Sequence, residues 1–205
     1  MDGVDATIEP YTYPPRQHRR RHGPAGYSTY ESYRPWLEDE FSFRCIYCLN
    51  RKVWSPTNIW AIDHLISQDE APELECEYDN LVFACQFCNQ QKLSNRVPDP
   101  CRVAYGDCLR VESNGTVTAL NTHGRRLVSV IRLNHRRFVE ERLKTMRLLR
   151  VLAKHAPLEF HRLMGFPMDL PDLSTLKPPL GNRRPEGISG SCFALRTRDE
   201  LPIVY

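Results

Sequence analysis

The sequence predicts an α+β protein with one small metal-bound core, followed by a β-hairpin and helices. Two pairs of cysteines with two intervening residues, Cys45/Cys48 and Cys85/Cys88, predict the metal site. An Asn-Gly dipeptide at residues 114–115 predicts the hairpin, and apolar residues at helical spacing in the second half predict a long helix. A chain of 205 residues with 41% hydrophobic residues is long enough to form such a core.

Proline placement divides the chain into parts. Prolines are frequent at both ends of the sequence and scarce in its middle, and proline interrupts helices and strands. We therefore expect a basic, aromatic arm at residues 1–36, the core at 37–100, the hairpin with basic helices at 101–156, and a Pro-rich tail at 157–205. Both ends are predicted to be irregular, apart from one turn of helix at residues 158–164.

Charge is segregated along the chain, although the formal net charge is only +3. Residues 53–91 contain acidic side chains but no Lys or Arg, whereas residues 16–21 and 125–154 are rich in arginine. Basic flanks of this kind favour nucleic acid as a partner. The sequence has no apolar run suited to a membrane span or a secretion signal, so we expect a cytoplasmic protein with reduced cysteines.

The first half of the chain predicts one aromatic helix and one strand. Tyr27, Tyr30, Tyr33 and Trp36 recur every third residue, which indicates one face of a short helix. We expect that face to be buried against the core, with base stacking as the alternative. Residues 51–66 alternate in polarity and are rich in Trp and Ile, so they predict a strand.

The next strand and helices are predicted from apolar residues and from the residues that end helices and strands. Residues 81–84 predict a second short strand, and residues 89–95 predict a short helix that Pro98 prevents from continuing. The Asn-Gly dipeptide indicates a two-residue turn in which both residues have positive φ. A helix is then expected at residues 124–133.

A longer helix is expected to begin at Asn134, whose side chain is a favoured N-cap. Five apolar residues of this helix recur at helical spacing and predict one buried stripe. They are Val139, Leu143, Met146, Leu149 and Ala153. The remaining faces carry most of the arginines.

The cysteine pairs predict a structural zinc site. Each pair can hold a metal through two thiolates, and two pairs complete the tetrahedral shell that Zn²⁺ accepts. Four thiolates leave no open coordination position, so this Zn²⁺ is expected to be structural. The alternative is that these are unrelated buried cysteines, which is our interpretation of Cys76, Cys101, Cys108 and Cys192, since those four lack the paired spacing.

Between and just after the cysteine pairs lie residues suited to phosphodiester hydrolysis. Asp63 and His64 end the first predicted strand, Asn80 precedes the second, and Asn89 and Lys92 follow the last cysteine. Hydrolysis needs a base for water, a cation for the developing charge, and cationic groups for the phosphates. Each residue alone has an ordinary structural explanation, and only their joint occurrence favours catalysis. Because neighbouring residues of a strand point to opposite sides, joint action of the first two requires the strand to end there.

The segments RCIYC, AIDHL, YDNLVFAC and CQFCNQQK resemble the HNH nuclease superfamily, in the branch with a zinc ribbon around a ββα-metal core. The resemblance implies that Asp63 and Asn89 bind one divalent metal, and that His64 is the general base. It also implies that Asn80 steadies the loop or the histidine. Asn89 stands where many relatives have histidine, and this oxygen ligand favours Mg²⁺ or Mn²⁺. The implied activity is one-metal hydrolysis of nucleic acid, with DNA as the expected substrate, and the sequence looks like stand-alone restriction or anti-phage nucleases.

Basic residues are expected to contact the phosphates, and the alternative is a solvated helix face. The candidates are Lys92, Arg136, Arg137, Arg147 and Arg150. Two other functions are compatible with the sequence. One is a zinc-ribbon module that binds nucleic acid or protein without cutting. The other is a nuclease subunit that requires a partner protein, with the acidic loop at 69–79 lying across the substrate path.

Overall fold

The computed structural model describes residues 9–54 and 59–205. In these ranges, helices alternate with two separate antiparallel sheets of two strands each, which confirms the predicted α+β class. The helices are α1 (Arg34–Glu40), α2 (Gln86–Lys92), α3 (Thr122–Ile131), α4 (Arg136–His155), α5 (Pro157–Met164) and α6 (Cys192–Thr197). The strands are β1 (Trp60–His64), β2 (Leu81–Cys85), β3 (Leu109–Val111) and β4 (Val117–Ala119).

Strands β1 and β2 form the first sheet, and α2 follows β2 directly, giving a ββα unit. The register pairs Trp60 with Cys85 at one end and His64 with Leu81 at the other. Every residue of β2 is buried, because the apolar sequence LVFAC lies in the middle of the main core. The ββα unit therefore presents two distinct ends, one at the cysteine pairs and one at His64.

The strand predicted over residues 51–66 is shorter than expected. Lys52–Trp54 is a turn of 3-10 helix and the strand is confined to β1; residues 55–58 lie outside the described residues. Arg51 explains part of the difference, because its buried guanidinium donates to the carbonyl oxygens of Met164 and Tyr205 and so fixes the chain away from the sheet. Helix α2 also begins earlier than predicted and ends at Lys92, since the next residue has φ +50°.

The aromatic residues before α1 are divided between core and surface. Tyr33 and Trp36 are buried, as predicted, whereas Tyr27 and Tyr30 are half-buried. Tyr33 contacts the ring of Tyr78 at a centroid distance of 5.7 Å. A 3-10 helix at Tyr30–Tyr33 leads into α1, so the stripe turns partly away from the core instead of following one regular helix.

Strands β3 and β4 form the predicted hairpin, but its turn is longer than predicted. Glu112 N donates to Thr116 O, and Gly115 N donates to Glu112 O, so three residues lie between the paired positions. Gly115 has φ +83°, whereas Asn114 is not among the described residues with positive φ. A type I turn followed by a left-handed glycine has this pattern. The Asn114 side chain accepts a hydrogen bond from Thr116 N instead.

Helix α4 does not begin where predicted. The N-cap is His135, whose side chain accepts a hydrogen bond from Arg137 N. Asn134, the predicted N-cap, bonds both backbone groups of Val117, with distances of 2.7 and 2.9 Å. Its amide thus pairs with the outer edge of β4, where a backbone donor and acceptor lie side by side. This contact joins the hairpin to α4.

The predicted stripe of α4 is only partly buried. Met146 and Leu149 are buried, and the other three members are half-buried. Arg142 lies on the same face and is 3% exposed, which the sequence did not predict. Its guanidinium donates to the carbonyl oxygens of Gly115 and Leu133, and these bonds compensate for its burial.

Both ends of the described chain are integrated into the fold. Residues 23–25 pair with residues 180–183 through backbone hydrogen bonds of 2.7 to 3.0 Å. Leu173 is fully buried in the main core, although it lies in the Pro-rich tail. The turn of helix predicted at 158–164 is present as α5, whereas α6 was not predicted. The two Pro-rich ends have little regular structure but many contacts.

A buried polar network connects these ends to α1. His22 Nε2 contacts Asp39 Oδ2 at 2.8 Å, and both side chains are fully buried. Asp39 Oδ1 accepts a hydrogen bond of 2.6 Å from Cys192 N at the start of α6. One carboxylate of α1 thus holds a residue of the N-terminal arm and the first residue of α6.

The neighbouring carboxylate, Glu40, is also buried and accepts four hydrogen bonds. The donors are the His18 ring, the backbone N–H groups of Arg21 and His22, and the Tyr78 hydroxyl. Burial alone would raise the pKa of Glu40, but the hydrogen bond from His18 and the other donors outweigh it and lower the pKa to about 2.

This lowered pKa predicts a loss of stability in acid. A carboxyl whose pKa falls on folding stabilises the protein above its usual pKa of 4.5, and this contribution disappears as the pH falls towards about 2. Glu40→Gln should therefore lower the free energy of unfolding at pH 7 by roughly 3 kcal/mol and flatten its dependence on pH below 4.5. Urea unfolding at a series of pH values measures both effects, with the exposed Glu73→Gln as control. Identical pH dependence in Glu40→Gln and the wild-type protein would contradict the assignment.

Candidate catalytic and metal sites

Four cysteine sulfurs converge at one end of the ββα unit. Cys45 and Cys48 lie in the loop after α1, Cys85 ends β2, and Cys88 lies in the first turn of α2. All four side chains are buried, and their Sγ atoms lie within 4.8 Å of one another. The loop can bend this tightly because Leu49 adopts φ +62° and Cys45 N donates to Asn50 O. The site can hold a metal ion such as zinc.

The thiols require a cation for full ionisation. Hydrogen bonds from Cys45 and Cys48 lower the pKa of Cys85, whereas burial and the neighbouring sulfurs raise the pKa of Cys88. A bound Zn²⁺ ionises its thiol ligands, so these four converging buried sulfurs fit the ion.

Asp63 is the buried acidic residue of β1, and it is already paired. Lys92 Nζ donates to its Oδ1 at 3.1 Å, and the Tyr47 hydroxyl donates to its Oδ2 at 2.5 Å. Burial raises the pKa of the Asp63 carboxyl, while the charge of Lys92 and the hydrogen bond from Tyr47 oppose that rise. The carboxylate is thus one half of a buried ion pair.

His64 ends β1, and its side chain contacts different groups from those of Asp63. Its Nε2 lies 3.0 Å from the backbone carbonyl oxygen of Glu75. A carbonyl can only accept, so Nε2 carries the proton and Nδ1 keeps a lone pair. The Tyr30 ring packs edge to face on the imidazole, with centroids 5.0 Å apart. The half-buried ring is therefore fixed in both tautomer and orientation.

Asn80 holds the loop that follows His64. Its Oδ1 accepts from Ile66 N at 2.9 Å, and its Nδ2 donates to the carbonyl oxygens of Ile66 and Leu74. Its own carbonyl accepts from Leu65 N at 2.8 Å. These four bonds connect the two ends of the loop, next to the Glu75 carbonyl that orients the imidazole.

The acidic loop at residues 69–79 is also held from outside. Arg184 makes two hydrogen bonds of 3.0 Å to the Asp79 carboxylate, and Arg183 contacts Glu77 at 3.4 Å. Arg96, after α2, pairs with Glu70. Each ion pair is partly exposed and contributes little to the free energy of unfolding by itself. Together the three pairs connect three parts of the loop to other segments of the chain.

Helix α2 brings Lys92 to Asp63 and places Asn89 on the same face one turn earlier. Lys92 is 1% exposed, and besides Asp63 it donates to the backbone carbonyl of His64 at 2.6 Å. Its contact with phosphate therefore stays a prediction. The Asn89 side chain makes no hydrogen bond within the described part of the chain, so its oxygen is available as a ligand.

The oxygen atoms of Asp63 and Asn89 suit a divalent cation, but the Lys92 ammonium group occupies the Asp63 oxygen in this arrangement. The Asp63 charge is already compensated by Lys92, and a divalent ion on the same oxygen would face the ammonium group. Within residues 9–54 and 59–205, the cysteine cluster is the only group of three or more His, Cys, Asp or Glu ligands that converges on one point. Cation binding at Asp63 and Asn89 thus requires Lys92 to move.

The four predicted phosphate-binding arginines of α4 are exposed. Arg137 lines a cleft of about 820 Å³ together with Cys48 and Cys85, at the end of β1 and β2 opposite His64. The two ends of β1, Trp60 and His64, are four residue steps apart, which corresponds to roughly 13 Å along the strand. Arg136 forms an exposed ion pair with Glu140. Their role in binding stays a prediction.

Sequence reasoning missed three groups of the site. Tyr47 lies between the first two cysteines, and nothing in the spacing indicates that its hydroxyl reaches Asp63. The Glu75 carbonyl belongs to the backbone and has no signal in the sequence. Tyr30 was identified only as part of an aromatic stripe, and its contact with His64 depends on how the 3-10 helix Tyr30–Tyr33 lies against the end of β1.

Comparison with known families supports the site. Residues 45–95 match the family described as HNH endonuclease, a range that contains both cysteine pairs, β1, β2 and α2. No curated protein and no solved structure matched the chain. Among the described helices, none is both long enough and apolar enough to cross a membrane. Residues 45–95 are thus similar to an HNH endonuclease domain, and their four cysteines are placed to bind a metal, consistent with its zinc-ribbon branch.

Proposed function

We propose that this chain hydrolyses phosphodiester bonds of nucleic acid, with DNA as the substrate and His64 as the general base. The hydrogen bond from His64 Nε2 to the Glu75 carbonyl is the observation that carries the proposal. It leaves Nδ1 as a proton acceptor on a half-buried ring that cannot turn without breaking this bond. A general base needs this fixed tautomer, and an ordinary surface histidine does not have it.

In the proposed reaction, neutral His64 accepts a proton at Nδ1 from the attacking water. The Glu75 carbonyl then stabilises the imidazolium through the Nε2 proton. Asn80 holds the adjacent part of the loop by donating to the Leu74 carbonyl oxygen. Mg²⁺ or Mn²⁺ at Asp63 and Asn89 would supply stabilisation of the departing 3′ oxygen when bound. Products should carry 5′-phosphate and 3′-hydroxyl ends.

A cleavage assay tests the proposal directly. Zinc-loaded protein is incubated with plasmid DNA, single-stranded DNA and RNA, with Mg²⁺, Mn²⁺ or a chelator. We expect cleavage of DNA that depends on the added cation, and end-labelling identifies the product termini. Failure to cut any of the three substrates with either cation would refute the proposal for the chain acting alone.

The exposed arginines of α4 lead to a prediction about binding. Each arginine that contacts a phosphate should lower the slope of log affinity against log salt by about 0.9 when replaced by alanine. Arg137, Arg147 and Arg150 are the best candidates, because none of them forms an ion pair in the described structure. Fluorescence anisotropy with duplex DNA at several salt concentrations measures the slope, with Arg136→Ala, which removes an ion-paired arginine, for comparison. Unchanged slopes would assign the residues to a solvated helix face.

A second candidate function is binding without cleavage. It is favoured by one observation, that Lys92 compensates Asp63 and leaves no open carboxylate for a catalytic cation. A module of this kind would bind DNA without requiring Mg²⁺, and would not cut it with either cation. A role in restriction or anti-phage defence, and a partner protein that activates the chain, are further proposals that rest on the sequence resemblance.

A further inference from the structure

The ammonium group of Lys92 lies on Asp63 at the place where a bound cation is proposed. The ammonium group lies 3.1 Å from Oδ1, and the two side chains are 1% and 4% exposed. The ammonium also bonds the carbonyl oxygen of His64, at the end of β1. It thus lies between the proposed metal ligand and the backbone of the proposed base, on the helix face shared with Asn89.

A divalent cation and this ammonium cannot share one carboxylate oxygen without strong repulsion, because both are positive and poorly solvated there. Lys92 is also the last residue of α2, followed by Leu93 at φ +50°, so only its flexible side chain has to move to vacate the oxygen. The released ammonium would remain beside His64, where the scissile phosphate of the proposed reaction would lie.

We propose that Lys92 and the divalent cation exchange on Asp63. Without the cation, Lys92 neutralises the buried carboxylate and preserves the site. Binding of the cation releases Lys92, which then contacts the phosphate of the substrate. The exchange concerns this chain's own residues, and only its last step rests on the proposed function.

The first test measures cation affinity in the zinc-loaded full chain. Lys92→Gln removes the competing charge and keeps a side chain of similar size, so the Kd for Mn²⁺ in calorimetric titration should fall by at least about tenfold. Lys144→Gln, on the exposed face of α4, should leave it unchanged. The double variant Asp63→Asn, Lys92→Gln should lose this tight binding. Equal or weaker Mn²⁺ binding by Lys92→Gln would overturn the exchange, provided that zinc content and circular dichroism match the wild-type protein.

The second test uses the wild-type protein and does not depend on the folding of a variant. Brief acetylation followed by mass spectrometry should modify Lys92 slowly without Mg²⁺ and several times faster at saturating Mg²⁺. Lys144 should react at the same rate in both. Unchanged protection of Lys92 at saturating Mg²⁺ would overturn the proposal. Exchange observed in a protein that cuts no nucleic acid would refute the proposed function and leave this inference standing.

Discussion

His64→Ala is expected to lower the rate of DNA hydrolysis by about 10²- to 10⁴-fold, the usual contribution of a general base. The substitution removes the proton acceptor but leaves the four cysteines, Asp63 and Asn80 in place. The half-buried imidazole packs on Tyr30 and hydrogen-bonds the Glu75 carbonyl, so the fold should survive its loss. Single-turnover cleavage of a labelled duplex, with bound DNA verified separately, measures the loss.

The control for this prediction is another histidine of the chain. His123 is exposed at the start of α3, and His123→Ala should cut at the wild-type rate. Asp63→Ala should differ from His64→Ala, because excess Mn²⁺ should partly restore cleavage when the cation site is weakened but not when the base is absent. His64→Ala that cuts at the wild-type rate would overturn the assignment of the base.

Cys85→Ser is expected to abolish zinc binding and folding together. Structural zinc sites contribute roughly 10–16 kcal/mol of apparent binding free energy, while a typical domain is stable by only about 5–15 kcal/mol. Cys85 joins β2 to α2, and its sulfur lies 3.7 Å from that of Cys48 in the loop after α1. Loss of this ligand therefore releases the main contact that holds the loop against the sheet.

Elemental analysis and circular dichroism measure this effect. The wild-type chain should contain about one zinc per molecule. Cys101→Ser provides a matched control, because Cys101 is half-buried and lies outside the sulfur cluster; it should keep both zinc and fold. A purified, folded wild-type chain without zinc or iron, or a folded Cys85→Ser variant, would contradict the structural role.

The sequence predicted best where the determinants are local. The cysteine pairs predicted the metal site and the apolar pattern predicted the two strands, because each pair closes its own small loop and β2 is apolar throughout. The arrangement of these elements as a ββα core came from the resemblance to the HNH superfamily. The hairpin was likewise predicted from a local pattern. Its turn was not, because the Asn114 side chain bonds Thr116 and favours a longer loop over the two-residue turn.

The sequence predicted least where a contact joins distant segments. Asn134 is a good N-cap by composition, but two backbone groups of Val117 bind its amide more favourably in the folded chain. Three other features likewise depend on tertiary structure. They are the burial of Leu173, the ion pair of Lys92 with Asp63, and the Glu75 carbonyl beside His64. The sequence indicated candidate catalytic residues, but it did not indicate the groups that these residues contact.

The arginines that follow residue 182 hold the acidic loop from outside, and this has a consequence for how the domain is isolated. Arg184 binds Asp79, and that loop supplies the carbonyl that fixes His64. The segment that matches the HNH endonuclease family is thus shorter than the segment that keeps His64 in position. A chain cut down to residues 45–95 would retain the four cysteines and His64, yet lose the contacts that both flanking segments make with the loop and with the imidazole.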